Sequence, residues 1–180
     1  MGSAFKNIWL KITVAAISGL CCGLVYQFGV MDEVLDPVAG LFLLGFLFAA
    51  GVLFPYLSRD RSAWPRGISL IGISMLSFSC AIELVSTVSG PYIVTTTGFV
   101  AGSVVGAAIV LTGAMFIIPL RRSVALVLAG IPAAIIGGLA FSLIDAPLPG
   151  LPLPFAIWHL LMAVAIYIAE YRPSSNREIL

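Results

Sequence analysis

Charged residues are scarce in this sequence of 180 residues, of which Asp, Glu, Lys and Arg make up only 9%. A soluble domain carries about 25% charged residues. Hydrophobic residues make up 61% of the chain, and the mean hydropathy is +1.13. A soluble fold has too few polar residues here to cover that much apolar surface. The net charge of +1, with no basic tail, gives no footprint for nucleic acid, so no nucleic-acid partner is expected.

The residues that usually carry catalysis or bind metal are also few. The chain has one histidine and three cysteines, Cys21, Cys22 and Cys80, without CxxC or paired-histidine spacing. It contains no HExxH, GxSxG or Walker motif, and no GxGxxG in a strand-turn-helix context. We therefore expect no bound metal and no cofactor. A non-enzymatic role is favoured over an enzymatic one.

Long apolar runs are what the sequence does contain, separated by short polar or proline-rich breaks. Each run has roughly 18 to 29 residues, which is enough for a helix to span a hydrocarbon core about 30 Å thick. The predicted fold is all-α: a polytopic membrane protein with six transmembrane helices in a single integral membrane domain, residues 1–180. The predicted helices cover about 8–30, 38–57, 67–88, 92–120, 123–144 and 154–171.

The distribution of cations predicts how the helices are threaded. In a six-helix threading all nine basic residues fall on one side of the bilayer, and the other side carries only acidic residues. The positive-inside rule then predicts that both termini lie on the cytoplasmic side of a plasma or inner membrane. The nine cations are Lys6, Lys11, Arg59, Arg61, Arg66, Arg121, Arg122, Arg172 and Arg177.

Small residues recur every four positions in three of the runs, which places them on one face of each helix. Such stripes let a neighbouring backbone approach closely, and close contact is what drives helix association in lipid. We expect glycine-rich packing within the chain, with a homo-oligomer interface as the alternative. The residues concerned are Gly98, Gly102, Gly106, Gly19, Gly23, Gly130 and Gly138.

Two ionisable side chains, Glu83 and His159, lie inside apolar runs, where each is costly unless it is paired or solvated. Both are predicted in the outer third of the bilayer, and Asp145 ends the fifth run at a neighbouring depth. These three residues are therefore the candidate ligand- or ion-binding site. The alternative is a structural role, in which Glu83 extends to the headgroups and His159 satisfies one hydrogen bond.

The last run carries a local resemblance. The segment from Phe155 to Tyr167, with Trp158-His159-Leu160-Leu161 in it, resembles the last helix of alkaline ceramidases and related membrane hydrolases. The resemblance implies a zinc-binding role for His159. Phe155 stands where that family has another histidine, the chain has no second histidine, and the family has seven helices rather than six.

Three functions follow as expectations. The leading one is a transport or channel component for a small solute or ion, with an outward-facing polar site. The first alternative is a scaffold or accessory subunit of a larger complex, and the second is a membrane-embedded lipid hydrolase. The expected partners are the lipid bilayer and either a second copy of the chain or another membrane protein.

Overall fold

A computed structural model describes residues 2–31, 35–57, 63–89, 95–118, 123–143 and 152–170. These residues form six α-helices, and each corresponds to a segment long and apolar enough to cross a membrane. The predicted all-helical fold with six such helices is thereby confirmed, and it indicates a multi-pass membrane protein. The helices are α1 Gly2–Leu24, α2 Pro37–Phe48, α3 Ala63–Ser89, α4 Thr96–Ile117, α5 Ser123–Leu143 and α6 Pro152–Glu170.

Two helix starts are explained by side chains that cap them. Asp36 accepts hydrogen bonds from the backbone N–H groups of Val38 and Ala39, at 2.9 and 3.3 Å, and Pro37 occupies the first turn. Thr95 caps α4 in the same way, because its hydroxyl oxygen accepts from the N–H of Gly98 at 3.1 Å. Both residues satisfy donors that a helix start leaves without an intrahelical partner. At the other end, α4 stops at Ile117, two residues before a proline, and Ile118 is extended.

Two of the helices continue into π-helical turns with wider hydrogen-bond spacing. The first, Val25–Met31, extends α1. The second, Ala49–Leu53, extends α2 and is followed by the 3-10 turn Phe54–Tyr56. We call Ala49–Leu53 the π-segment. π-Helical turns inside helices are uncommon and often mark functional sites.

The helices pack as a closed ring, because each contacts the next along the chain and α6 contacts α1. The π-segment reaches inward and contacts α1, α3 and α6. Aromatic rings fill the middle: Phe48 packs against Phe78, Trp158 and His159, with ring centroids 4.9 to 6.1 Å apart. The core is therefore built around the junction of α2 and the π-segment with α6.

Most helix boundaries lie within a few residues of the predicted ones, but α1 begins at Gly2 rather than 8, and α2 changes into the π-segment after Phe48, before the predicted end at 57. α3 begins at Ala63 rather than 67, and α6 begins at Pro152 rather than 154. Proline tolerates the first turn of a helix because that position needs no N–H donor, so the proline-rich entry to α6 is part of the helix. This earlier start moves His159 deeper along α6 than the sequence prediction placed it.

Candidate functional site: a buried polar centre

A small group of polar atoms lies at the middle of the ring. The hydroxyl of Ser18 in α1 donates a hydrogen bond to the backbone carbonyl of Leu47 in α2, at 2.5 Å. The same oxygen lies 3.3 Å from Nδ1 of His159 in α6. His159 is fully buried, and Ser18 is 8% exposed. We call Ser18, the Leu47 carbonyl and His159 the polar centre.

The three members of the polar centre share one depth. Each member lies within two residues of the middle of its own apolar span. Because an α-helix rises about 1.5 Å per residue, each member is within a few ångströms of the midpoint of its span. In α6, which has 19 residues, His159 is the eighth, and its predicted place in the outer third of the bilayer stays a prediction. The spans are Ile8–Phe28, Val38–Tyr56 and Pro152–Glu170.

The π-segment explains why a carbonyl of α2 is involved. Helical hydrogen bonding changes from four- to five-residue spacing next to Phe48, directly after Leu47. At such a change the carbonyls leave their regular register and become acceptors for side chains of neighbouring helices.

Gly51, inside the π-segment, makes room for the serine. A Cβ atom at this position would collide with the Cβ and Oγ atoms of Ser18. A side chain larger than hydrogen at residue 51 would therefore displace the hydroxyl from Leu47 and His159.

Two aromatic rings pack against His159. Phe48 meets the imidazole edge to face, with centroids 4.9 Å apart, and Trp158 lies 5.9 Å away. Within the described part of the chain, the Nε2 atom of His159 and the Nε1 atom of Trp158 are buried without a hydrogen-bond partner. Unpartnered buried polar atoms are rare, so each requires an explanation.

The serine and histidine are not arranged as a catalytic pair. In an activated serine the hydroxyl donates its proton to the imidazole. Here the single hydroxyl proton of Ser18 is directed to the Leu47 carbonyl. In this arrangement Ser18 positions the imidazole of His159.

Glu83 lies in a different environment, on the exposed face of α3. It is exposed and lines a shallow open groove with one residue of α4, Val105; the other lining residues are Ser79, Cys80, Leu84 and Thr87. We call this the Glu83 groove. The hydroxyls of Ser79 and Thr87 donate to carbonyls one turn earlier in α3, so their protons are not available to the carboxylate.

The structure does not bring Glu83 and His159 together. Nδ1 of His159 faces Ser18 and Nε2 has no partner among the described residues, so neither nitrogen bonds to Glu83. Asp145, the third predicted site residue, lies outside the described residues. Whether any of the three binds a ligand or ion stays a prediction.

Six of the seven glycines named above lie close to atoms of a neighbouring helix of the same chain. A Cβ on Gly102 would lie 2.8 Å from the carbonyl oxygen of Ala81 in α3, and one on Gly138 would lie 2.7 Å from Cα of Val100 in α4. A Cβ on Gly19 would lie 2.5 Å from Cα of Ala156 in α6. In the same way Gly98 and Gly106 face α3 and Gly130 faces Leu111, while Gly23 is buried.

Among the described residues, the cysteines do not form a cluster with other metal-binding side chains. Cys22 is buried, and its thiol donates weakly to the Leu44 carbonyl at 3.6 Å. Cys80 lines the Glu83 groove. Among the residues that the structure describes, no group of three or more His, Cys, Asp and Glu side chains could hold a metal ion.

Sequence reasoning missed a cluster at one end of the ring. Lys11 of α1 forms a salt bridge of 2.9 Å with Glu170 of α6 and lies 3.8 Å from the centroid of the Tyr56 ring. The Tyr56 hydroxyl donates to the carbonyl of Ala163, at 2.9 Å. These contacts join α1, the end of the second span and α6. The position of Lys11 at the beginning of the first apolar run was the available signal.

Comparison of the chain with protein-family models, with curated proteins and with solved structures finds no match. The local resemblance of α6 to alkaline ceramidases therefore depends on His159 and its immediate neighbours. Phe155, at the position of that family's other histidine, packs against Tyr26, Phe78 and Phe141 with ring centroids 4.9 to 6.3 Å apart. At this position the aromatic ring of Phe155 packs in the core.

Proposed function

We propose that this chain is a non-enzymatic, multi-pass membrane protein that carries a small solute or ion, with the polar centre as its binding site. The observation that supports this proposal is the meeting of Ser18, the Leu47 carbonyl and His159 near the middle of three apolar spans. Polar groups at this depth are costly and usually functional. Carriers commonly bind their substrates near the midplane, beside helices whose regular hydrogen bonding is interrupted.

The π-segment fits that role. It supplies an irregular backbone at membrane depth that is buried in protein, which is where such backbone is tolerated. It also contacts three other helices, so a change in its hydrogen-bond register would change its packing against α1, α3 and α6. The π-segment is accordingly the element we propose to move when the polar centre gains or loses a ligand.

The proposal includes a membrane orientation. With both termini on the cytoplasmic side of a plasma or inner membrane, the cluster of Lys11, Tyr56 and Glu170 closes the cytoplasmic end of the ring. Its salt bridge and cation–π contact hold α1 and α6 together below the polar centre. In this arrangement a ligand enters from the outer side.

A flux assay in proteoliposomes tests the proposal. The purified chain is reconstituted and screened for movement of protons, sodium, potassium, ammonium, chloride, urea and glycerol against protein-free vesicles. We expect at least one probe to move faster with the protein present. Wild-type flux equal to that of empty vesicles for every probe would contradict the proposal.

A pair of serine variants localises the flux. Ser18→Ala removes the interhelical hydrogen bond to Leu47 and the contact with His159. Ser77→Ala removes another interhelical bond of a buried serine, from Ser77 to the Gly106 carbonyl at 2.7 Å, and Ser77 is not part of the polar centre. We expect Ser18→Ala to lower flux roughly two- to tenfold, the range that the loss of one hydrogen bond covers. Ser77→Ala should leave flux unchanged.

The Glu83 groove favours a second candidate function, that of a scaffold or accessory subunit. A carboxylate on the outer face of α3 has an unusual position in a membrane protein and offers a contact to a basic group of a partner. In this case a stoichiometric partner, or a second copy of the chain, copurifies with the wild type. It is lost with Glu83→Gln and retained with Ser86→Ala, a nearby exposed control. The lipid hydrolase alternative, in which the resemblance implies a zinc-binding role for His159, stays a prediction.

A further inference from the structure

The exposed surface of α3 differs in composition from that of α5. Between residues 69 and 87 of α3, five of the seven exposed residues are small or polar. Between residues 124 and 139 of α5, every exposed residue is apolar, and all but Pro132 are Val, Leu or Ile. Such aliphatic side chains are as apolar as lipid tails, so only the α5 surface has the composition of a lipid contact. The exposed α3 residues are Ser69, Gly72, Leu76, Ile82, Glu83, Ser86 and Thr87.

Six residues on this side of α3 follow the spacing of a helix–helix contact. They are separated alternately by three and four residues, as are residues along the seam between two packed helices. A Cβ on Gly72 would meet nothing within 4 Å, whereas one on Gly102 would lie 2.8 Å from a backbone oxygen. Gly72 therefore leaves space for a helix from outside the chain. We call the six residues the α3 seam: Ser69, Gly72, Leu76, Ser79, Glu83 and Ser86.

The adjoining surface of α4 also carries small side chains. Cβ atoms on Gly102 and Gly113 would contact the side chains of Val85 and Ile73, so this part of α4 runs antiparallel beside the α3 seam. Small side chains on two adjacent helices leave a groove in which a third helix can pack closely. The exposed α4 residues between 102 and 113 are Val105, Ala108 and Thr112.

Glu83 is the charged residue of the seam, and its own chain supplies no cation among the described side chains. The cations whose side chains the structure describes are Lys11 and Arg66. Lys11 pairs with Glu170 and lies against Tyr56, seven residues before α3 begins, whereas Glu83 is near the other end of α3. Arg66 precedes Glu83 by 17 residues, about 25 Å along the helix. Because a carboxylate in a membrane helix is costly without a partner, these positions favour a cation from another molecule.

A second copy of the chain does not fit the seam. Two copies in one membrane orientation would pair α3 with α3 about a two-fold axis along the membrane normal, which places two Glu83 carboxylates at one level. Like charges in a medium of low dielectric constant oppose that contact. A helix with a cation at this level is instead complementary in charge.

We propose that the α3 seam binds one transmembrane helix of a partner membrane protein, whose single Lys or Arg side chain pairs with Glu83. Small residues of that helix lie against Gly72, where the backbone of α3 is accessible. The hydrogen bonds between the cation and Glu83 are charge-assisted and therefore stronger than neutral ones. This inference rests on the second candidate function, that of a scaffold or accessory subunit, and it names the partner as a basic membrane helix.

Two synthetic peptides test the proposal against the full chain in phosphatidylcholine vesicles. Each is a leucine-rich helix of about 21 residues, long enough to span the bilayer, with alanines spaced alternately by three and four. One peptide has lysine at the level of Glu83, and the other has leucine there. Energy transfer from a donor on the chain to an acceptor on the peptide measures binding. We expect the lysine peptide to bind about tenfold more tightly, and equal affinities would overturn the proposal.

Three variants locate the binding. Glu83→Gln should reduce the affinity for the lysine peptide to that for the leucine peptide. Gly72→Leu should weaken both peptides, because its side chain fills the seam while its Cβ meets no atom of the chain within 4 Å. Thr13→Leu enlarges an exposed side chain of α1 and should leave binding unchanged. Full binding of the lysine peptide to Glu83→Gln or to a folded Gly72→Leu variant would overturn the proposal.

Other occupants of the seam give different results. Energy transfer between donor- and acceptor-labelled copies of the chain, lost in Gly72→Leu, would assign the seam to a second copy. Loss of peptide binding when phosphatidylethanolamine replaces phosphatidylcholine would assign Glu83 to a lipid amine. Either result would overturn the proposal. A copurifying natural partner, together with failure of the lysine peptide, would overturn this inference and leave the second candidate function standing.

Discussion

The helices α6 and α3 each carry an ionisable side chain well inside their apolar run, His159 and Glu83, and the two side chains have opposite surroundings. In the most apolar 18-residue window of each span, 56% of the α6 residues are buried but only 22% of those in α3. His159 is enclosed by α1, α2 and aromatic rings, whereas Glu83 faces outward beside α4. The role of an ionisable residue in a membrane helix therefore depends on whether the fold turns that face of the helix towards the other helices or away from them.

The largest expected difference between the two helices concerns packing. Met162→Ala in α6 removes a fully buried side chain, whereas Leu76→Ala in α3 removes one that is 56% exposed. We expect a loss of about 2 kcal/mol for Met162→Ala, the low end for such truncations, because lipid rather than water solvates the side chain after unfolding. Leu76→Ala should cost less than about 0.5 kcal/mol.

Reversible unfolding in mixed micelles measures both free energies. Equal losses for the two alanine variants would contradict the contrast in burial.

Glycine substitutions give the next contrast, because the expected changes in stability have opposite signs in α1 and α3. A Cβ on Gly19 would lie 2.5 Å from the backbone of α6, whereas one on Gly72 of α3 meets nothing within 4 Å. Gly19→Ala should destabilise the protein by about 1–3 kcal/mol through overpacking. Gly72→Ala should be neutral or stabilise by up to about 1 kcal/mol, because alanine favours the helix. Thermal denaturation of the two variants is the measurement, and a stable Gly19→Ala would show that α1 and α6 are further apart.

Hydroxyl deletions should give the smallest contrast. Ser18→Ala loses an interhelical hydrogen bond, and Ser86→Ala loses only a bond to the carbonyl one turn earlier in the same helix. Interhelical hydrogen bonds in membranes contribute about 0.6 kcal/mol on average, so Ser18→Ala should cost about that amount. Ser86→Ala should have no measurable effect on the free energy of unfolding. A larger cost for Ser86→Ala than for Ser18→Ala would argue against the polar centre.

The sequence predicts the six helices well because their number follows from apolar length alone. Segments of about 20 residues without charge have few alternatives to a helix in lipid, where every backbone donor must be satisfied internally. The break before α2 was also predicted, at Asp36 and Pro37, whereas the predicted fourth helix began at 92 and the structure begins α4 at Thr96, with Thr95 as its cap.

The polar centre escaped prediction for a physical reason. α2 and α4 are apolar on all sides, so the sequence does not reveal which face is turned inward. The rotation of each helix decides whether Ser18 meets His159 or lipid. His159 itself was predicted as a site residue, but its partner was expected to be Glu83. The π-segment and the role of Gly51 depend on local hydrogen-bond spacing, for which no residue pattern in α2 provides a signal.

The flux of two matched variants tests most directly whether the polar centre, rather than the Glu83 groove, is the binding site. His159→Gln and Glu83→Gln both replace an ionisable group by a neutral amide, and both are compared with wild type in proteoliposomes. We expect His159→Gln to reduce flux of the carried probe to the level of empty vesicles, while Glu83→Gln retains it. Flux lost in Glu83→Gln and retained in His159→Gln would contradict the assignment and move the site to the outer face of α3.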